Sequence, residues 1–324
     1  TRVNNENELV EIFGKPGVGT TDYHYETWYA ASNFLSYGGK LDIVRCVGGD
    51  LNTANVAVGL ANTTLLLEGL EDYNNNQADD TNWYFAAKNP GFWSENIKVA
   101  IIDNAADQIV TPTLETGTIA ATKVGFGVTQ ALTGVTVGVG TTAAATGILK
   151  GVVTGKSTTT IDIKVVSTVI DGTETLVDYQ QNSQFEFKTG TMLNIVNNSG
   201  TTVGKSSTIS SVDWYNSQNI LTSVADGGSD FTTLKWRAVL NKPKTNNYVS
   251  RRDGTNDALH VVVIDAGGGV TGDVGSVLEK FANLSKAKDG VASGNESVYY
   301  KDFLANNSEY IFSGAHVTQA DDSH

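Results

Sequence analysis

Apolar residues near the start of the chain follow the pattern of a short strand, a helix and a second strand. Val10, Ile12 and Phe13 predict the first strand, and the turn cluster Gly14–Gly17 ends it. The helix has its apolar residues at helical spacing: Tyr25, Trp28, Ala31, Phe34 and Leu35. The second strand is almost continuously apolar, as expected of a buried strand: Leu41, Ile43, Val44, Cys46 and Val47. Together these elements predict a β-α-β unit.

Both ends of this helix carry residue types that favour helix termini. Thr21 and Asp22 each suit the N-cap, because a short side-chain oxygen accepts a hydrogen bond from the first turn. Gly38 and Gly39 follow the last apolar residue, and glycine readily adopts the backbone conformation that stops a helix. We therefore expect the helix to lie between these positions.

The composition changes near residue 105. From there to residue 212 the chain is rich in Thr, Val and Gly, contains no Trp and carries few charges. Apolar residues alternate with polar ones at two places: Ile161, Ile163 and Val165, and Phe185 and Phe187. This alternation favours a small antiparallel β domain over the alternative of a disordered linker.

Strong strand patterns stand on both sides of this segment. Ile97–Ile102 precedes it, and Leu259–Ile264 and Val274–Phe281 follow it. A short helix at Tyr300–Ala305 and a last strand at Tyr310–Phe312 complete the pattern. The end of the chain therefore returns to the mixed character of its beginning.

This arrangement predicts a discontinuous domain. We expect an α+β or α/β domain built from residues 1–104 and 213–324, with residues 105–212 inserted as an antiparallel β-rich domain.

The charge of the chain limits the partners that it can bind. Its 324 residues include 22 Lys and Arg against 35 Asp and Glu, a net charge of −13. This disfavours binding to duplex DNA and adsorption to an anionic membrane, because both need an excess of positive charge. Cys46 is the single cysteine, so a disulfide within the chain is excluded, and its apolar neighbours predict a core residue.

One glycine motif stands directly after a predicted strand. Gly267, Gly269 and Gly272 match the G-x-G-x-x-G pattern of dinucleotide-binding folds. That pattern needs a helix after the last glycine, whereas the residues here are β-branched and interrupted by glycine. Asp265 and Asp273 would also place negative charge beside the phosphates. A hairpin turn formed by Asp265–Gly269 is the better interpretation.

Two other candidate sites lack part of the required pattern. Gly14–Thr21 resembles a phosphate-binding loop only loosely, because Gly19 stands where the lysine should be. Asp72, Asp79 and Asp80 lack the spacing of a calcium loop and predict a solvated acidic loop.

The sequence also lacks the usual pattern of residues for nucleophilic catalysis. There is no G-x-S-x-G motif to accompany the four histidines His24, His260, His316 and His324. Two aromatic pairs predict core or interface anchors: Trp214–Tyr215 and Tyr299–Tyr300. We therefore expect no catalytic residue, no cofactor and no metal site.

Several blocks of sequence occur in a familiar order. They are Leu9–Pro16, Ala31–Gly38, Val44–Val47, Ala87–Trp93, His260–Asp265, Tyr299–Leu304 and Ser308–Phe312. These blocks resemble the contractile tail sheath protein of T4-like bacteriophages. The resemblance covers roughly residues 9–104 and 212–312. Residues 105–212 align with nothing in that family.

The resemblance implies a structural protein. Sheath subunits stack as six-fold rings around the inner tail tube, and their contraction drives the tube through the host envelope. The implied partners are other sheath subunits, together with the tail tube and the baseplate through regions outside this chain. The implied location is the phage tail, after assembly in the host cytoplasm, and neither nucleic acid nor a small-molecule substrate is expected.

Sheath proteins also carry an N-terminal strand and a large C-terminal domain that link neighbouring subunits. This chain has no counterpart of either, so the resemblance implies a fragment that is monomeric in solution. Residues 105–212 would then be one of the variable, outward-facing insertions of the family.

Two alternatives belong to other functional classes. A β-rich insertion on a virion surface would suit the binding of host glycans. Such a site would be expected to expose Trp and Tyr clusters, whereas this insertion contains one Tyr, Tyr179, and no Trp. A nucleotide-dependent enzyme built on Gly267–Gly272 is the second alternative, and stabilisation by NAD or ATP would reveal it.

Overall fold

The computed structural model describes residues 1–13, 24–44, 67, 69–77, 83–88, 94, 96–135, 145–181, 183–222 and 233–315. The chain divides into two units, Thr1–Leu51 and Asn52–His324.

The described residues of the first unit form two helices and one short pair of strands. Its elements are β1 (Arg2–Val3), α1 (Glu6–Phe13), α2 (His24–Ser36) and β2 (Leu41–Asp42). β1 and β2 are antiparallel, with Val3 opposite Leu41. The predicted β-α-β unit is therefore wrong, because such a unit needs two parallel strands.

The strand predicted over Val10–Phe13 is instead the second half of helix α1. The side-chain oxygen of Asn5 accepts a hydrogen bond from the Glu8 backbone N–H at 2.9 Å. The Glu8 carboxylate in turn accepts a hydrogen bond from the Asn4 backbone N–H at 2.8 Å. This reciprocal capping starts a helix just before the apolar residues, and it outweighs their strand-like alternation.

Helix α2 lies where the apolar spacing predicts it. Trp28 and Leu35 pack with Val3 and Leu9 into the core of this unit. The helix is followed by Gly38, whose φ of 77° is a conformation that glycine adopts at little cost. The predicted C-terminal stop is thus confirmed.

The buried strand predicted over Leu41–Val47 is wrong in its described part. Hydrogen bonding continues one residue past β2, where the Ile43 N–H donates to the Thr1 carbonyl at 2.8 Å, but Leu41 and Ile43 are only partly buried and Val44 is 83% exposed. Cys46 and the predicted N-cap residues Thr21 and Asp22 lie outside the residues that the structure describes.

The described residues of the second unit form sixteen strands and five short helices. Its helices are α3 (Leu70–Asp72), α4 (Trp214–Ser217), α5 (Trp236–Val239), α6 (Asn247–Ser250) and α7 (Tyr300–Asn307). The first strands are β3 (Phe85–Ala87), β4 (Ile97–Asp103), β5 (Gln108–Thr113), β6 (Thr116–Gly117), β7 (Gly127–Val135), β8 (Ala145–Lys156), β9 (Ile161–Ile170) and β10 (Thr173–Leu176). The others are β11 (Leu193–Val196), β12 (Thr202–Ser206), β13 (Thr208–Asp213), β14 (Asn219–Leu221), β15 (Leu234–Lys235), β16 (Ala258–Asp265), β17 (Ser276–Ser285) and β18 (Ile311–Ser313).

A three-stranded antiparallel sheet has the order β17-β16-β4. β16 is buried along its whole length and pairs with β4, with Val261 opposite Ile101. Successive residues of β16 point to opposite faces. Val261 packs in one cluster with Leu304 of α7, whereas Val262 packs in another with Trp236 of α5. The strands predicted before and after the Thr-rich segment are therefore confirmed.

The last helix and strand are also confirmed. Helix α7 begins at Tyr300, as predicted, and buries Tyr300 and Leu304. The following strand β18 pairs antiparallel with β3, with Ile311 opposite Ala87. Residues from both parts of the sequence thus share one core.

The Thr-rich segment folds into a nine-stranded antiparallel sheet that closes on itself. β5 and β6 lie on one bent stretch, residues 108–117, and β12 and β13 lie on another, residues 202–213. These two stretches pair with each other, β5 with β13 and β6 with β12. Their other edges are joined through β9, β8, β7 and β11, in that order, which completes the closure. We call residues 108–213 the closed sheet.

The interior of the closed sheet confirms the alternation of Ile161, Ile163 and Val165, which are buried with Phe187. The alternation at Phe185 and Phe187 does not form a strand, and among the described residues no strand pairs with this stretch. Its backbone is satisfied by a side chain instead: the amide of Gln108 accepts from the Phe187 N–H at 2.9 Å and donates to the Phe187 carbonyl at 3.2 Å.

The fold is of the α+β class. The strand pairs in the described part of the chain are antiparallel, so the α/β alternative is wrong. Among the described helices, none is long and apolar enough to cross a membrane.

Candidate functional site

The glycine motif lies in the connection between β16 and β17, residues 266–275. Asp265 pairs antiparallel with Ser276, so this connection is the loop of a hairpin, longer than the predicted turn. A dinucleotide site needs a helix after the last glycine, whereas strand β17 begins four residues after Gly272. The hairpin prediction is confirmed.

The buried carboxylate of Asp265 organises this loop. Its Oδ2 atom accepts hydrogen bonds from the backbone N–H groups of Val270 at 3.0 Å and Thr271 at 2.6 Å. The Thr271 hydroxyl donates to the same oxygen at 2.9 Å. These are the kinds of donor that would bind a phosphate, and here an internal anion already engages them.

His260 lies inside β16 and is 1% exposed. Its Nδ1 atom accepts a hydrogen bond from the Asn283 backbone N–H at 2.9 Å. Nε2 must therefore carry the proton, which it donates to the Asn241 carbonyl at 2.6 Å. Burial lowers the pKa of the imidazole, which favours this neutral form. The ring connects two neighbouring segments of the protein.

The other candidate residues do not come together into a site in the described structure. His24 begins helix α2, and Asp72 ends helix α3. Among the residues that the structure describes, no group of three or more His, Cys, Asp or Glu could hold a metal ion. Several candidates lie outside those residues: Gly14–Thr21, Asp79, Asp80, His316 and His324.

The aromatic pairs belong to cores, as predicted. Tyr215 and Tyr300 are buried, and their neighbours Trp214 and Tyr299 pack against the same clusters. Burial raises the pKa of Tyr215 to about 12.

Within the sequence blocks, Lys88 contacts a distant part of the chain through polar groups. Its Nζ atom donates hydrogen bonds to the carbonyl oxygens of Ala305 at 2.6 Å and Ser308 at 2.5 Å, at the end of helix α7. It also lies 4.8 Å from the centre of the Phe312 ring, a cation–π distance. Burial lowers the pKa of this half-buried ammonium group.

The segment after α7 is held from a second side by β17. The Glu279 carboxylate accepts hydrogen bonds from the Ser308 hydroxyl at 2.6 Å and from the Glu309 backbone N–H at 2.7 Å. Lys88, which directly follows β3, and Glu279 of β17 thus hold the same turn from two sides. The chemistry of this candidate site is that of a structural joint.

The surface beside this joint carries an open groove of about 370 Å³. It is lined by α5 and by the first half of β17: Ala238, Val239, Val277, Leu278, Glu279 and Lys280. Three valines nearby in sequence are more than a third exposed: Val270, Val274 and Val277.

Lys88 stands in the block Ala87–Trp93, but the sequence predicts no role for it, and no pattern in the sequence singles out Glu279. The contact of Lys88 depends on a turn far away in the chain, so local spacing gives no signal for it.

Comparisons of the chain with protein-family models, with curated proteins and with solved structures each gave no significant match.

Proposed function

We propose that the chain is a structural subunit of a contractile phage tail sheath. In this role it polymerises with other subunits in stacked six-fold rings around the tail tube, and it works by exchanging contacts with its neighbours. Residues 1–104 and 213–324 are proposed to form one discontinuous domain of the subunit, with residues 105–212 inserted on its outer side.

One observation carries the proposal. The blocks that resemble sheath proteins are far apart in sequence, yet those in the second unit pack against each other. Ala87 pairs with Ile311, Lys88 binds the carbonyl oxygens at the end of α7, and β4 pairs with β16. A chance likeness of scattered short blocks would not require them to form one connected framework.

The character of the Thr-rich segment also supports the proposal. A closed sheet has few unpaired strand edges, so it resists pairing with other chains. Such a module suits an exposed position on a polymer whose subunits must contact each other only through defined surfaces.

Immunogold electron microscopy of the phage particles that encode this chain tests the proposal. Antibodies raised against the 324-residue chain should label the tail along its whole length, with uniform spacing. Labelling confined to fibre tips or to the baseplate would contradict the proposal and favour a host-binding module. Particles without tail labelling would contradict it as well.

A further inference from the structure

Two short connections join the closed sheet to the three-stranded sheet. The chain leaves β4 at Asp103 and enters β5 at Gln108, and it returns from β13 directly into α4 at Trp214. Two single-chain connections permit the modules to swing against each other, unless side-chain contacts fix their orientation.

The first connection contains a buried carboxylate, that of Asp107, whose side chain is 2% exposed. Its Oδ1 atom accepts from the Nζ atoms of Lys164 at 3.1 Å and of Lys242 at 2.5 Å. Its Oδ2 atom accepts from the Val165 backbone N–H at 2.9 Å. Asp107 thus holds two cations that come from different parts of the molecule.

Lys164 belongs to the closed sheet and has a second polar partner. It lies on β9, and its Nζ atom also donates to the Asn104 side-chain oxygen at 2.6 Å. Burial lowers the pKa of this ammonium group, and the nearby charge of Lys242 acts in the same direction. The two polar partners of Lys164 are Asp107 and Asn104, and neither contact involves Lys242.

Lys242 reaches the same carboxylate from the segment between α5 and α6. Its two preceding residues are anchored outside the closed sheet: the Leu240 carbonyl accepts from the Tyr215 hydroxyl at 2.9 Å, and the Asn241 carbonyl binds His260 of β16. Its Nζ atom lies 5.5 Å from the centre of the Tyr179 ring of the closed sheet. The backbone before Lys242 is thus anchored outside the closed sheet, while its ammonium group binds Asp107 of the first connection and lies beside Tyr179 of the closed sheet.

We propose that Lys242 is a latch that fixes the closed sheet in one orientation on the three-stranded sheet. With the latch in place, the ion pair is shielded from water, so its attraction is stronger than that of an exposed pair. Without it, the closed sheet keeps its own hydrogen bonds and core, and the exposed hydrogen bond from Asn216 of α4 to Gln181 at 3.0 Å is too weak to stop it from swinging about the two connections. This inference does not depend on the role of the chain in a tail sheath.

Distance measurement between two spin labels tests the latch directly. The labels are attached at Asn198→Cys on the closed sheet and Ser293→Cys beyond β17, both at exposed positions, after Cys46→Ser removes the native thiol. Lys242→Met keeps the aliphatic stem of the side chain and removes the charge. We expect it to broaden the distance distribution at least twofold.

The matched control is Lys150→Met, which removes the exposed ion pair with Glu174 within the closed sheet and should leave the width unchanged. Hydrogen exchange of the Val165 amide, which donates to Asp107, is measured in the same variants and should stay slow in Lys242→Met. An unchanged width in Lys242→Met would overturn the proposal. Loss of Val165 protection would overturn it too, because Lys242 would then be needed for the fold of the closed sheet itself.

Discussion

The Nζ atom of Lys88 lies 2.5 Å from the carbonyl oxygen of Ser308, a residue 220 positions further along the chain. The same nitrogen binds the carbonyl of Ala305 at 2.6 Å. The last carbonyl groups of a helix have no partners within it, and they carry a partial negative charge. The ammonium group therefore satisfies carbonyl groups at the end of helix α7. It links the residue directly after β3 to a helix that comes after the closed sheet in the sequence.

Replacing Lys88 by Met should destabilise the protein by about 1.5–3 kcal/mol, the typical value of hydrogen bonds to a charged group in a partly buried place. Urea unfolding of the two proteins measures the difference. Lys150→Met serves as the control, because its exposed pair with Glu174 should be worth at most about 1 kcal/mol. Equal decreases in the free energy of unfolding of the two variants would argue against a structural joint at Lys88.

Gly151 should not tolerate a methyl group. A Cβ atom there would lie 2.7 Å from Cγ2 of Ile163 and 2.9 Å from the Lys164 carbonyl oxygen. We expect Gly151→Ala to destabilise the protein by about 1–3 kcal/mol through overpacking. Gly294→Ala is the matched control, since its Cβ would meet nothing within 4 Å. Thermal unfolding that shows the same shift for both would contradict the packing inside the closed sheet.

The stability of the protein should fall with pH below about 7, partly because of His260. Its pKa is lowered in the folded state, so the unfolded chain binds a proton first as the pH falls. The contribution is present above the unfolded pKa of about 6.5 and is lost as the pH falls towards the folded value. Through this one group, the free energy of unfolding changes by at most about 1.4 kcal/mol per pH unit.

The contribution of His260 is tested by measuring the free energy of unfolding of the protein and of His260→Gln. The measurements run from about pH 7.5 to about pH 5, on both sides of the ordinary histidine pKa. The variant should be less stable at neutral pH and less sensitive to acid. Identical slopes would show that His260 keeps an ordinary pKa in the folded protein.

Neither NAD nor ATP at about 1 mM should raise the melting temperature. The reason is that the Asp265 carboxylate already engages the N–H groups of Val270 and Thr271. Differential scanning fluorimetry, with a known dinucleotide-binding protein alongside, makes the comparison. A rise of several degrees would revive the enzyme alternative.

The long apolar patterns predicted strands β4 and β16 and helix α7 of the second unit, but not its short helices α3–α6. Leu259–Ile264 is buried on both faces, so its continuous apolar run left little ambiguity. The alternation at Ile161, Ile163 and Val165 likewise matched the inner face of the closed sheet. In both places most of the buried positions are apolar, and His260 of β16 is a buried polar exception whose two ring nitrogens are both hydrogen-bonded.

Predictions failed where a side chain replaces a neighbouring strand or starts a helix. Gln108 pairs with the backbone of Phe187, and Asn5 caps helix α1 with Glu8. The candidate joint was also missed, because Lys88 and Glu279 meet the turn at Ser308 only after the whole unit has folded. Such contacts depend on the tertiary structure and leave no periodic pattern in the sequence.

A cryo-EM reconstruction of the intact tail of the encoding phage tests the sheath assignment most directly. The account predicts that the closed sheet and the three-stranded sheet fit density that repeats in every stacked ring around the tube, six copies to a ring. Density for this fold at the fibres, at the baseplate alone or nowhere in the particle would contradict it.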